Sequence, residues 1–109
     1  MNSLHDSPFL AACRSEPHQH TPVWFMRQAG RSLPEYREIR GEGSILDAIK
    51  NADLSTEITL QPVRRYNTDA AILYSDIMVP LHALGFGIEI QPGVGPVVEN
   101  PFRSVSDLN

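Results

Sequence analysis

The sequence predicts an α/β fold that reads as the front part of a larger parallel-sheet domain. Two short apolar runs, Pro22-Val23-Trp24-Phe25-Met26 and Asp69-Ala70-Ala71-Ile72-Leu73-Tyr74-Ser75-Asp76, each end abruptly in polar residues, as buried strands do on leaving a core. Helical patterns fill the residues between them, and strand, helices, strand is the order of a parallel crossover unit. Two such strands cannot close a sheet, and 109 residues fall short of the roughly 250 that a (β/α)₈ barrel takes. Residues 1–109 are therefore expected to form one unit, an incomplete barrel.

Composition narrows the function. With 41% apolar and 20% charged residues the chain is an ordinary globular one, and no stretch approaches the ~20 apolar residues of a membrane span. The N-terminus has no basic start followed by a long apolar run, so no secretory signal is expected. A single cysteine, Cys13, excludes an internal disulfide framework and any cysteine-pair zinc site, and fits a reducing, cytoplasmic setting. A net charge of −4 argues against a nucleic-acid partner, which a strongly basic surface would favour. Within that acidic balance, eight of the nine basic residues are arginine. Six of these, Arg27, Arg31, Arg37, Arg40, Arg64 and Arg65, fall between positions 27 and 65. The planar guanidinium fork matches carboxylates and phosphates, which points to an anionic ligand, although solvated arginines are the commoner case.

The elements follow in order. Asp6-Ser7-Pro8 before Phe9-Leu10-Ala11-Ala12-Cys13 predicts a capped short helix, with Cys13 as a small buried hydrophobe. Glu16 to His20 reads as a loop, and His18 and His20 lack a third metal ligand. The first apolar run follows, with Trp24 and Phe25 expected in the core. It opens into Arg27-Gln28-Ala29-Gly30-Arg31, where Gly30 permits a tight backbone. Helices are predicted from Pro34 to Arg40, stopped by Gly41 and Gly43, then from Ser44 to Asn51, and from Asp53 onward. In the last of these, Leu54, Ile58, Pro62 and Tyr66 make one face and Pro62 bends the axis. After the second apolar run, Ile88-Glu89-Ile90 has strand periodicity between turns at residues 85–87 and 92–96. Gly85 and Gly87 fail the dinucleotide fingerprint at its third glycine. Ser104 to Asn109 resembles the capped start of a further helix.

Thr21 to Arg31 followed by Leu33-Pro34-Glu35-Tyr36-Arg37 closely resembles the N-terminal signature of the uroporphyrinogen decarboxylase family. Leu60-Gln61-Pro62-Val63-Arg64-Arg65-Tyr66 and Asp69 to Ile77 resemble the family's second stretch at the expected separation, and Leu84-Gly85 and Pro92-Gly93-Val94-Gly95-Pro96 continue the match. One departure is Ser32, where the family usually carries an aromatic residue. The resemblance implies a (β/α)₈ barrel, homodimeric and cytoplasmic, that removes CO₂ from the four acetate side chains of uroporphyrinogen III to give coproporphyrinogen III in porphyrin and heme biosynthesis. It implies no metal and no organic cofactor. The family's later strands supply a tyrosine, a serine or threonine, and a histidine at positions that have no counterpart here, so the chain by itself is expected to show no turnover.

Transferred residue by residue, the resemblance assigns Arg27 and Arg31 to substrate binding, with Gln28, Ala29 and Gly30 as the connecting backbone and Arg40 as a further candidate. Arginine forks suit the carboxylate rim of such a ligand. The competing reading of Arg27 and Arg31 is ion pairing with Glu35 or Glu38. Asp76 matches the family's essential aspartate, and the backbone N–H of Ile77 is expected to face the ligand. An ionised carboxylate only accepts hydrogen bonds and pyrrole N–H groups only donate, so one aspartate can hold several of them. Its fixed charge also stabilises the ring cation that forms when a pyrrole carbon is protonated. The alternative for Asp76 is a cap for the next helix. The proton donor stays unassigned, and His82 is expected to be a packing or surface residue.

Two other classes compete. Related barrel methyltransferases bind zinc through histidine and cysteine, for which this sequence offers no set. A non-catalytic anion- or protein-binding module could use Arg64 and Arg65.

Overall fold

The computed structural model describes residues 4–108, and its helices begin where the capping residues stand. Ser7 accepts the Leu10 N–H at 3.3 Å and Pro8 follows it, starting α1 (Pro8–Cys13). Pro34 opens α2 (Pro34–Arg40), and Gly41, at φ 63°, ends it in a conformation that suits glycine. Ser44 caps α3 (Ile45–Lys50), and Asn51 caps α4 (Ala52–Tyr66) through its bond to the Leu54 N–H. A short α5 (Val79–Ala83) follows, with 3₁₀ turns at Leu4–Asp6 and Val105–Leu108. The last of these is a single turn where a helix start was expected.

The centre of the packing is α4. Ile58 and Pro62 are completely buried, as is Leu33 just before α2, and Leu46 and Ala48 of α3 complete this cluster. The expected α4 face is rotated: Ser55 and Gln61 join Ile58 and Pro62 on the buried side, while Tyr66 is exposed. Arg65 donates to both oxygens of Glu35, at 3.1 and 2.9 Å, and so ties α4 to α2.

The only sheet among the described residues is an antiparallel hairpin, β1 (Ile88–Gln91) and β2 (Gly95–Val98), in register Ile88 to Val98 and Gln91 to Gly95. The second strand begins within residues 92–96, where only a turn is expected, and runs on to Val98. Gly93 and Gly95, at φ 74° and 99°, place the reversal and the start of β2 in conformations open to glycine. A two-stranded partial sheet among helices is the content of an incomplete (β/α)₈ barrel. No helix among the described residues is long and apolar enough to cross a membrane.

The two expected parallel strands are the main correction. Residues 21–25 and 69–73 lie beside each other but form no ladder. Asp69 takes both available rungs at one end: its N–H donates to the Val23 carbonyl at 3.0 Å and its carboxylate accepts the Val23 N–H at 2.8 Å. The next rung is filled by a side chain. Gln28 accepts the Phe25 N–H and donates to the Ala70 carbonyl, each at 3.0 Å, so an amide stands where backbone would meet backbone. Further along, the N–H and carbonyl of Tyr74 are engaged by α4.

Burial differs from expectation for the same reason. Trp24 and Phe25 are 39% and 59% exposed rather than in the core, because no neighbouring strand covers them. Met26, Ile72, Leu73 and Ile77 are exposed on the same two segments. Cys13, at the end of α1, is exposed as well. The radius of gyration, 18.0 Å, exceeds the roughly 13 Å of a compact domain of about 100 residues, in keeping with this open arrangement.

Candidate functional site: an arginine cleft beside a clamped tyrosine

The loop after residue 25 is built to project arginines. Gln28, almost fully buried, fixes its middle through the two bonds described above. On one side of that anchor, Arg27 holds φ 61°, a left-handed conformation that a non-glycine residue adopts at some energetic cost. On the other, Gly30 lies at φ 134°, and its carbonyl accepts the N–H of the buried Leu33 at 3.0 Å. The loop is thus pinned by buried residues at its middle, Gln28, and just past its end, Leu33, while Arg27 and Arg31 stay exposed. Arg27, Ala29, Gly30 and Arg31 line one cleft of about 520 Å³ with Tyr36, Ile45 and Tyr74. Arg27, Gln28 and Ala29 also border a smaller cleft of about 240 Å³, shared with Trp24, Tyr74 and Ser75.

The facing wall comes from the segment before Asp76. Ser55 donates to the Tyr74 carbonyl at 2.8 Å. Thr59 accepts the Tyr74 N–H at 2.8 Å while donating to the Ser55 carbonyl at 2.7 Å. One turn of α4 therefore clamps both main-chain groups of Tyr74. The Tyr74 hydroxyl lies 3.0 Å from that of Tyr36, and the two rings meet edge to face with centroids 6.0 Å apart. Burial, and next the bond to Tyr36, pushes the Tyr74 phenol up to about 12, against a smaller opposing effect of Arg40.

The remaining site residues divide. Arg40 is half-buried and bonds the Gly43 carbonyl at 3.1 Å; its Nε is buried without an acceptor, and it does not line the cleft. Asp76 is half-buried two residues beyond Tyr74 and lines neither cleft. One of its oxygens accepts the Met78 N–H at 2.8 Å, as the capping alternative requires, while its second oxygen leaves acceptor capacity. Ile77 is 90% exposed beside it.

Charge pairing separates the arginines further. Arg64 pairs with Glu57 at 2.5 Å and Arg65 with Glu35 at 2.9 Å, so both cations of the proposed binding-module patch are already matched. Arg27 and Arg31 enter none of the ion pairs among the described residues, and Glu35, one of their suggested partners, is committed to Arg65. His20 is an exposed loop histidine, and its ring lies 2.6 Å from the Asp69 carboxylate. The Val23 N–H, and next His20, holds the Asp69 carboxyl below the usual carboxylate range. His82 is half-buried, with Nδ1 enclosed and unpartnered.

Tyr36, Tyr74, Ser55 and Thr59 escaped the sequence reading. Ser55 and Thr59 stand four apart on α4, a spacing that puts two hydroxyls on one helix face, but nothing in the sequence says which segment meets that face.

The sequence is similar to known proteins along nearly its whole length. The model of the uroporphyrinogen decarboxylase family matches residues 4–109. A uroporphyrinogen decarboxylase of Thermobifida fusca is 62% identical over 104 residues, covering 95% of this chain and 29% of that protein. One from Streptomyces griseus is 59% identical over 107 residues, 98% of this chain and 29% of its own length. One from Nocardioides is 58% identical over 105 residues, 96% of this chain and 30% of its own. The chain thus spans somewhat under a third of the length of the curated relatives it matches. With the family model matched over residues 4–109 and these identities sustained across the chain, it belongs to the uroporphyrinogen decarboxylase family.

Proposed function

We propose that this chain supplies the first substrate-binding wall of a uroporphyrinogen decarboxylase, a carboxy-lyase that converts uroporphyrinogen III to coproporphyrinogen III in porphyrin and heme biosynthesis, as a cytoplasmic homodimer. The observation that carries the reading is the pair Arg27 and Arg31, unmatched by carboxylates among the described residues and projecting into one cleft. Cations held out by buried anchors and left unpaired suit a ligand that brings its own carboxylates.

In this reading the arginine forks hold carboxylates of the tetrapyrrole rim, and Asp76 offers its free oxygen to the inward-facing pyrrole N–H groups. A proton adds to a pyrrole carbon beside the acetate, leaving a cationic ring. The electron pair of the C–CO₂ bond then moves into that ring, CO₂ leaves, and a proton returned to the exocyclic carbon completes the methyl group while the first proton is lost. The Asp76 charge favours the cation, and a charge already in place needs no reorganisation.

The test joins this chain to the remaining length of the Thermobifida fusca relative and measures coproporphyrinogen formation with and without Asp76→Asn. Asparagine still caps the Met78 N–H, so the substitution removes charge rather than structure. The expected loss in kcat is on the order of a hundredfold or more. Turnover by the Asp76→Asn hybrid at the parent's rate overturns the proposal.

A further inference from the structure

One turn of α4 does for Tyr74 what a neighbouring strand would do. Thr59 spends its proton on the Ser55 carbonyl at 2.7 Å, which leaves its oxygen to accept the Tyr74 N–H at 2.8 Å. Ser55, 4% exposed, donates to the Tyr74 carbonyl at 2.8 Å. Ile58, which stands between them in the sequence and is completely buried, seats this turn in the core. Only the backbone torsions of Ser75 separate the held Tyr74 carbonyl from the Asp76 Cα. Past that point the bonds are internal to the turn. The Met78 N–H meets the Asp76 carboxylate at 2.8 Å and the Val79 N–H meets the Asp76 carbonyl at 3.1 Å. Those two bonds shape the turn and travel with it. Its place relative to the arginine loop is set upstream by α4, where Thr59 lines the smaller cleft with Arg27 and Gln28.

We propose that Thr59, assisted by Ser55, is a positioning residue for decarboxylation: by holding both main-chain groups of Tyr74 it fixes where the Asp76 carboxylate stands relative to Arg27 and Arg31. The inference rests on the function proposed above, because it gives Thr59 work only if the Asp76 charge has work. A charge that stabilises a developing ring cation must already be in place when the cation forms, and a small displacement weakens it steeply. Valine has the shape of threonine but neither accepts the Tyr74 N–H nor reaches the Ser55 carbonyl as a donor. Serine keeps both functions. The demand is therefore for a hydroxyl at position 59, and it is separable from the demand for bulk.

The experiment uses the hybrid of this chain with the remaining length of the Thermobifida fusca relative. It measures coproporphyrinogen formation per binding-competent enzyme, counted by titration with uroporphyrin, a fluorescent octacarboxylate porphyrin. The variants are Thr59→Val, Thr59→Ser, Asp76→Asn, the double variant Thr59→Val with Asp76→Asn, and Gly95→Ala as a control for lost stability alone. Thr59→Val is expected to lower kcat about tenfold with uroporphyrin affinity unchanged, and Thr59→Ser to recover most of that loss. In the Asp76→Asn background Thr59→Val lowers the remaining rate no further, because it acts through Asp76. Gly95→Ala leaves kcat unchanged. Where Thr59→Val does not fold, Ser55→Ala takes its place, with a smaller loss that Asp76→Asn likewise absorbs. A loss that multiplies with that of Asp76→Asn, or that Thr59→Ser does not recover, overturns the inference and spares the proposed function. So does a Thr59→Val hybrid at the parent's kcat when Asp76→Asn is impaired. An Asp76→Asn hybrid at the parent's rate, or an unsubstituted hybrid without turnover, overturns the proposed function and this inference with it.

Discussion

The two ends of this chain solve the same backbone problem differently. In the hairpin, β1 and β2 satisfy each other's N–H and carbonyl groups through a four-residue ladder joined by a short turn. Around the cleft, the extended segments at residues 21–25 and 69–76 form no ladder; apart from one backbone bond from Asp69 to the Val23 carbonyl, the groups that link them to each other and to α4 are met by the side chains of Asp69, Gln28, Ser55 and Thr59. A ladder is local and tolerant, because neighbouring rungs share the load. A side-chain rung stands alone and fails with one substitution. The cleft region also leaves Phe25, Met26, Ile72, Leu73 and Ile77 exposed, whereas the hairpin buries Ile88 against α3.

That contrast can be broken most sharply at Arg27. Its left-handed backbone suits glycine, so Arg27→Gly is expected to abolish uroporphyrin binding, by about a hundredfold, while stabilising the chain slightly or leaving it unchanged. Porphyrin titration beside urea unfolding measures both, and a variant that loses stability along with binding contradicts the strain argument. Thr59→Val comes next. It preserves the shape of the side chain but strands the half-buried Tyr74 N–H, at an expected cost of about 1–2 kcal/mol read from the urea midpoint. Gly95→Ala, at φ 99°, should cost about 1 kcal/mol and leave uroporphyrin affinity alone, since the hairpin takes no part in the cleft.

The finest effect is one of pH. Asp69 has its carboxyl held below the ordinary range, first by the Val23 N–H and then by His20. It therefore contributes stability that is fully present above its unfolded value of about 3.9 and is lost as pH falls through the lower folded value. Asp69→Asn is expected to flatten the acid side of the stability curve. An unchanged acid limb would remove Asp69 from the forces that hold the two extended segments together.

These differences also explain what could be read from the sequence. Ser7, Ser44, Pro34 and Gly41 announce helix ends through interactions within three or four residues, and the helices stand where those residues place them. The apolar runs 22–26 and 69–76 carry real information about extended backbone, but a strand exists only with a partner, and Gln28 occupies the rung that a partner strand would use. Trp24 and Phe25 read as core because large apolar residues usually are; their exposure depends on what lies beside them, which no local pattern encodes. At the site, Arg27 and Arg31 were legible as a motif after an extended run. Tyr36 and Tyr74 were not, since their meeting spans 38 positions and is arranged by the Ser55 and Thr59 hydroxyls of a third element.

The most direct measurement is a crystal structure of this chain, joined to the remaining length of the Thermobifida fusca relative, with coproporphyrinogen bound. The expected density places the ring's N–H groups on the free oxygen of Asp76 and rim carboxylates on Arg27 and Arg31. A ring bound elsewhere, with Asp76 engaged only by the Met78 N–H and both arginines facing solvent, contradicts the assignment.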